Sequence, residues 1–104
     1  MKICLFGGTF DPPHIGHLLI AQTVCEAEGF DKIVFIPANK SPNKIANTTP
    51  KNRVEMLELA VEGNPNFEIS DLEIKRGGTS FTIDTIRDYK KKIYSSNAKI
   101  SYLI

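Results

Sequence analysis

Short apolar runs alternate with amphipathic stretches along the chain, and this alternation most constrains the fold. Three apolar runs, Lys2 to Phe6, Lys32 to Ile36 and Lys99 to Ile104, are typical of strands buried on both faces of a parallel sheet. Phe67 to Ile74 alternates apolar and polar residues with one slip, which indicates a strand nearer a sheet edge. Four strands are therefore predicted.

Helical patterns separate these strands. The first helix is predicted over Ile15 to Glu28 and is stopped by Gly29, and the second runs over Lys51 to Glu62. The third begins at Thr82, which we expect to be its N-cap, and extends through Ile93. The expected inward positions of the first helix are Ile15, Leu18, Leu19, Gln22 and Cys25. The regular alternation predicts an α/β fold with a doubly wound parallel sheet and right-handed crossovers.

Composition limits the classes of function. The 104 residues suit one small domain or part of a larger one, and the formal net charge of +1 provides no general field for nucleic acid or anionic lipid. Cys4 and Cys25 have no metal-type spacing and are expected to be buried free thiols. No apolar run approaches the roughly 20 residues of a membrane span, so a cytoplasmic protein is expected.

The segment from Gly7 to His17 joins the first strand to the first helix. In a doubly wound fold this turn faces the crevice in which nucleotides bind. Gly7 and Gly8 leave room for a phosphate to approach the backbone, and Gly16 lets a ligand lie close to the helix. The helix N-terminus would direct unpaired N–H groups and a positive dipole end into the same crevice.

His14 and His17 are three residues apart and would share one face of the first helical turn. A neighbouring polyphosphate would favour their charged forms, which could donate to phosphate oxygens and stabilise a crowded phosphorus centre. Asp11 and the two histidines lack further ligands at metal-site spacing, so no protein-held metal is predicted. The glycines match neither a dinucleotide fingerprint nor a P-loop.

The segment Gly8-Thr9-Phe10-Asp11-Pro12-Pro13-His14-Ile15-Gly16-His17 resembles the GTFDPxHxGH signature of the nucleotidyltransferase superfamily. Within that superfamily the chain is similar to the bacterial nicotinate-nucleotide adenylyltransferases. Three further segments agree with that family: the Arg53 to Leu57 helix, the Asn64 to Phe67 turn, and Ser80-Phe81-Thr82 with Thr85, which is similar to PSYTxxT.

The resemblance implies transfer of AMP from ATP to nicotinate mononucleotide, giving deamido-NAD and pyrophosphate, with Mg²⁺ held mainly by the phosphates. It implies that His14 and His17 stabilise the reacting phosphates and that Thr82 lies near the nicotinate ring. Lys44, in the long polar loop from Ala38 to Pro50, is expected to reach a phosphate. The candidate nucleotide-binding residues are Gly7, Gly8, Thr9, Phe10, Asp11, Gly16 and Lys44.

The chain also departs from the family pattern. Asn43 stands where many members have histidine, and Phe81 replaces a more usual tyrosine. The family's GxD segment, a following tryptophan and an ISSTxIR motif would come after Ile104. We therefore expect residues 1–104 to be the N-terminal part of a nucleotidyltransferase domain. If the last strand lacks its native partner, copies of the chain are expected to associate.

Three alternatives remain open. The chain could be another adenylyl- or cytidylyltransferase of the superfamily, although phosphopantetheine adenylyltransferases usually have threonine at the position of His14. The His14-Ile15-Gly16-His17 tetrapeptide also matches the HIGH motif of class I aminoacyl-tRNA synthetases, but those enzymes are far longer and need a tRNA-binding surface. A third alternative is a fragment that binds nucleotide without catalysing a reaction.

Overall fold

A computed structural model describes residues 2–8, 10, 15–39, 49–78, 81–92 and 99–103. These residues form four strands and four helices, which bears out the predicted alternation and adds one short helix. The strands are β1 (Lys2–Gly8), β2 (Lys32–Pro37), β3 (Phe67–Ile69) and β4 (Lys99–Leu103). The helices are α1 (Ile15–Glu28), α2 (Pro50–Val61), α3 (Leu72–Arg76) and α4 (Thr82–Lys92).

The strands make one sheet in the order β3-β2-β1-β4, and every pairing is parallel. Phe6 of β1 lies opposite Phe35 of β2 on one side and Leu103 of β4 on the other. The carboxyl ends of the three strands therefore meet at one end of the sheet. The spatial order also reverses direction between β1 and β4, which creates a topological switch point beside the end of β1.

Side chains alternate between the two faces of the sheet, and helices cover both. On one side, which we call the α1–α2 face, a cluster of apolar and aromatic side chains packs beneath α1 and α2. Its buried members are Cys4, Phe6, Phe10, Ala21, Cys25, Ile33, Phe35 and Leu57. The other side, the α3–α4 face, has a smaller buried cluster made of Ile3, Leu5, Val34, Ile36 and Tyr89. The expected doubly wound architecture is confirmed.

Helix starts and stops follow local chemistry. Thr49 caps α2, because its hydroxyl accepts a hydrogen bond from the backbone N–H of Asn52 at 3.2 Å. Gly29, with φ +66°, ends α1 at the position expected from the sequence. The inward face of α1 differs in one position, since Leu19 is 60% exposed while Ala21 is fully buried. No helix in the described ranges is both long and apolar enough to cross a membrane.

The predicted strand from Phe67 to Ile74 is wrong in its second half. β3 ends at Ile69, after which the N–H of Ser70 donates to the Phe35 carbonyl at 2.9 Å. The Ser70 hydroxyl then accepts from the N–H of Leu72 at 3.4 Å, and the chain turns into α3. The slip in the alternation marks this turn, and the apolar residues after it belong to a helix.

Two smaller predictions also need correction. Helix α4 begins at Thr82, and the Phe81 carbonyl accepts its first backbone hydrogen bond, from the N–H of Thr85 at 3.2 Å. Phe81 therefore occupies the cap position predicted for Thr82. β4 is expected from the sequence to be buried on both faces, but Ser101 is exposed, and β4 pairs with β1 alone among the described residues. Cys4 and Cys25 are buried free thiols, as predicted.

Candidate functional site

The carboxyl end of β1 lies at the topological switch point, where open α/β sheets form their ligand-binding crevice. Gly7 and Gly8 are the last two residues of the strand. A Cβ atom at residue 7 would lie 2.9 Å from Cζ of Tyr102, with the tyrosine hydroxyl closer still. A Cβ atom at residue 8 would lie 3.3 Å from the ring of Phe10. A side chain at either position would therefore crowd a ring, Tyr102 at residue 7 and Phe10 at residue 8.

Phe10 has an unusual backbone conformation, with φ +51°, whereas the other described residues with positive φ are glycines. The left-handed region costs a residue with a side chain on the order of 1–2 kcal/mol. The Phe10 ring is 3% exposed and lies edge-on to Phe6 at 5.5 Å and to Phe35 at 5.8 Å. This aromatic packing offsets the backbone cost and holds Phe10 against the end of β1.

His17 lies in the first turn of α1 and packs on the same aromatic group. Its ring is 5.0 Å from that of Phe10, at an interplanar angle of 81°, and 6.2 Å from that of Phe6. The imidazole is half-buried, so it is held by the core yet remains partly accessible at the helix N-terminus. An anion in the crevice would meet the dipole end of α1 and this ring together.

A buried arginine joins α2 to the chain that follows β2. Arg53 is 1% exposed, and its guanidinium donates to the Ala38 carbonyl at 2.6 Å and to the Asn39 carbonyl at 3.2 Å. Sequence reasoning used Arg53 only as part of a family resemblance and missed this contact. Its spacing of four residues from the buried Leu57 places both on the inward side of α2, which was the available signal.

The residues after β2 are also tied to neighbouring segments. The N–H of Ala38 donates to the Gly8 carbonyl at 2.9 Å, which joins the ends of β1 and β2. The side-chain amide of Asn39 donates to the Gly78 carbonyl at 2.9 Å, across 39 positions of sequence. Gly78 belongs to the turn between α3 and α4. Three elements therefore meet around the carboxyl end of β2.

The position of α4 is fixed by a polar network with α3. The Thr85 hydroxyl donates to the carboxylate of Glu73, and both side chains are buried. Arg76 donates to Thr85 at 3.3 Å and forms an ion pair with Asp88 at 2.8 Å. The N–H of Gly77 donates to the Glu73 carbonyl at 3.1 Å. These contacts hold the turn and the start of α4 as one unit.

The structure brings part of the predicted site together. Gly7, Gly8, Phe10, Gly16 and His17 lie at the junction of β1 and α1, around the crevice. Thr82 begins α4, and its side chain is not described. Thr9, Asp11, His14 and Lys44 lie outside the described residues, so their predicted roles stay predictions. Within the described ranges, no three His, Cys, Asp or Glu side chains converge as a metal site would require.

Comparison with known proteins extends this picture. The family model for cytidylyltransferase-like proteins matches residues 5–103. A probable nicotinate-nucleotide adenylyltransferase of Oceanobacillus iheyensis is 49% identical over 88 residues, which are 84% of this chain and 46% of the relative. A relative of the same description from Caldicellulosiruptor bescii is 46% identical over 95 residues, covering 90% and 48%. The chain thus spans about half the length of the curated relatives it matches.

Solved structures agree on the fold. A Plasmodium falciparum nicotinic acid mononucleotide adenylyltransferase complexed with NaAD superposes with a TM-score of 0.79. The match covers 97% of this chain and 50% of that chain, at 19% sequence identity. At that identity the similarity establishes shared architecture rather than shared chemistry.

Proposed function

We propose that this chain, which belongs to the cytidylyltransferase-like family, supplies the ATP-binding half of a nicotinate-nucleotide adenylyltransferase. A single observation carries the proposal: an uninterrupted GTFDPPHIGH segment connects β1 to α1 at the topological switch point of the sheet. Relatives described as probable nicotinate-nucleotide adenylyltransferases share 46–49% of the aligned residues, which supports the choice of acceptor.

In the proposed reaction, an oxygen of the 5′-phosphate of nicotinate mononucleotide attacks the α-phosphorus of ATP. A new P–O bond forms, the bond from the α-phosphorus to its bridging oxygen breaks, and pyrophosphate leaves with that oxygen. The protein contributes mainly position and charge to such a transfer. The triphosphate lies beside Gly7 and Gly8 at the end of β1, and His17 donates to phosphate oxygens as negative charge builds up.

The other site residues complete the proposal. His14 acts beside His17, and Thr9, Phe10, Asp11 and Gly16 line the nucleotide. Lys44 reaches a phosphate from the loop after β2, while Thr82 contacts the acceptor ring at the start of α4.

Mg²⁺ completes the electrostatics of the proposed site. We propose that this Mg²⁺ is carried largely by ATP oxygens and water, as is usual for the ion in nucleotide-using enzymes. When bound, the ion neutralises charge on the phosphates. We place the enzyme in the cytoplasm, with ATP and nicotinate mononucleotide as substrates.

The decisive experiment measures pyrophosphate and deamido-NAD formed from ATP, Mg²⁺ and nicotinate mononucleotide. It uses the protein encoded by the complete reading frame that contains this chain. His17→Phe keeps an aromatic ring against Phe10 but removes both ring nitrogens, so turnover should fall at least about 100-fold with a nearly unchanged melting temperature. Leu19→Ala, an exposed change on the same helix, should leave turnover unaltered.

Two outcomes would contradict the proposal. Full turnover in both His17→Phe and His17→Ala would remove His17 from the chemistry, and no adenylyl transfer by the unsubstituted protein would remove the function. Binding of ATP without turnover would favour the non-catalytic alternative. Running nicotinamide mononucleotide in parallel identifies the preferred acceptor.

A further inference from the structure

One hydrogen bond links the two sides of the sheet above the carboxyl end of β2. Asn39 follows β2 by two residues, and its side-chain amide donates to the Gly78 carbonyl at 2.9 Å. Gly78 follows α3, which packs on the α3–α4 face, whereas the Asn39 backbone is held by Arg53 of α2, on the α1–α2 face. The contact therefore joins segments that the sheet otherwise separates.

Both ends of this contact are fixed to rigid structure. At one end, the buried Arg53 guanidinium binds two consecutive carbonyls, those of Ala38 and Asn39, in the fork geometry that a lysine cannot reproduce. At the other end, Gly77 and Gly78 have φ of +74° and +68°, and the Gly77 N–H is bonded to Glu73 of α3. Because both partners are held by other contacts, their hydrogen bond fixes the position of Asn39 relative to Gly78.

The sequence beyond each end of the contact makes this position relevant to a ligand. The chain that leaves Asn39 is the polar loop containing Lys44, and the chain that leaves Gly78 reaches Thr82 after three residues. Fixing the residue from which each segment starts lowers the ordering cost that substrate binding would otherwise bear.

We propose that Asn39 and Arg53 form a positioning clamp that holds the chain after β2 against Gly78, ahead of α4, and so governs affinity for the acceptor mononucleotide. This inference rests on the proposed adenylyl transfer. Neither residue contacts a reacting atom in this scheme.

The test compares Asn39→Ala with Asn52→Ala, an exposed asparagine on α2 that serves as the matched control. In the complete protein, Asn39→Ala should raise KM for nicotinate mononucleotide about three- to tenfold, the effect of one lost hydrogen bond. KM for ATP should rise less, because Asn39 holds only the start of the loop that carries Lys44, and the melting temperature should change little. Arg53→Lys should move the same KM in the same direction, and the double variant should not exceed the worse single variant, because both break one chain of contacts.

Amide hydrogen exchange provides a readout that does not need turnover. Peptides covering residues 77–82 should exchange faster in Asn39→Ala, whereas peptides from α1 should not change. Unchanged KM and unchanged exchange would overturn the clamp, and so would a double variant with multiplied effects. If the unsubstituted protein transfers no adenylyl group, the proposed function has failed. Exchange in residues 77–82 then decides by itself whether the clamp exists.

Discussion

The two faces of the sheet are built by different means. The α1–α2 face is held by stacked and edge-on aromatic rings, with Phe35 in contact with Phe6, Phe10 and Phe67. The α3–α4 face has fewer buried apolar residues and depends on the Glu73–Thr85 hydrogen bond and the Arg76–Asp88 ion pair for its helix packing.

This difference separates the support of the proposed phosphate-binding turn from the placement of the proposed acceptor segment. Apolar packing is non-directional, and it stabilises the α1–α2 face, which carries His17 and Phe10. Buried hydrogen bonds are directional and fix the register of α3 against α4, where the acceptor is proposed to bind. The faces should consequently respond to substitution in distinct ways.

The largest loss of stability is expected for a substitution on the α1–α2 face. Phe35→Ala removes a fully buried ring and should lower the free energy of unfolding by about 3–5 kcal/mol, a large share of the total for a small domain. Urea denaturation measures this change. Leu59→Ala, at a side chain that is 73% exposed, should stay within about 0.5 kcal/mol of the unsubstituted protein. Equal losses in the two variants would contradict the assigned core.

A smaller loss of stability is expected for a substitution on the α3–α4 face. Thr85→Val keeps the shape but leaves the buried Glu73 carboxylate without this donor, at a cost of about 1–3 kcal/mol. Thr85→Ser retains the hydroxyl and should cost less. Adding Glu73→Met to Thr85→Val should recover part of the loss, because the buried charge is removed as well. Chemical denaturation measures the free energy of unfolding of the three variants. An equal loss in Thr85→Ser and Thr85→Val would contradict the hydrogen-bond network.

The smallest effect is expected on the stability of the protein at alkaline pH. Burial raises the pKa of Tyr89 above its ordinary 10.0, and the hydrogen bond to Glu68 raises that of Lys32 above 10.5. Both groups thus lose their protons at lower pH in the unfolded chain than in the folded chain. Their contribution to stability is complete below the unfolded-state pKa values and is lost as pH rises through the folded-state pKa values. The melting temperature should fall above about pH 10. Tyr89→Phe should show a smaller fall, and an identical fall would exclude Tyr89 as a cause.

The sequence predicted the parallel α/β order because buried strands and amphipathic helices leave clear periodic signals. The end of β3 was missed because a three-residue strand and a five-residue helix are too short for either period to develop. The Thr82 cap was missed by one residue, a usual uncertainty at helix ends. The exposed Leu19 shows that apolar spacing identifies a helix before it identifies which of its residues face inward.

The site was predictable where a motif names contiguous residues. Gly7, Gly8 and His17 were singled out from one segment, and the structure places them around one junction. Arg53 and Asn39 were not recognised, because their partners are backbone carbonyls distant in sequence and carry no side-chain signature. The network around Glu73 was also missed, because Glu73 was assigned to a strand while its partner Thr85 was assigned to a helix.

The packing of Gly7 against Tyr102 has a consequence for sequence variation. A methyl group at residue 7 and a phenol at residue 102 would compete for the same volume, so neither position can be varied independently of the other. A library that randomises both sites should return small residues at one whenever the other is large.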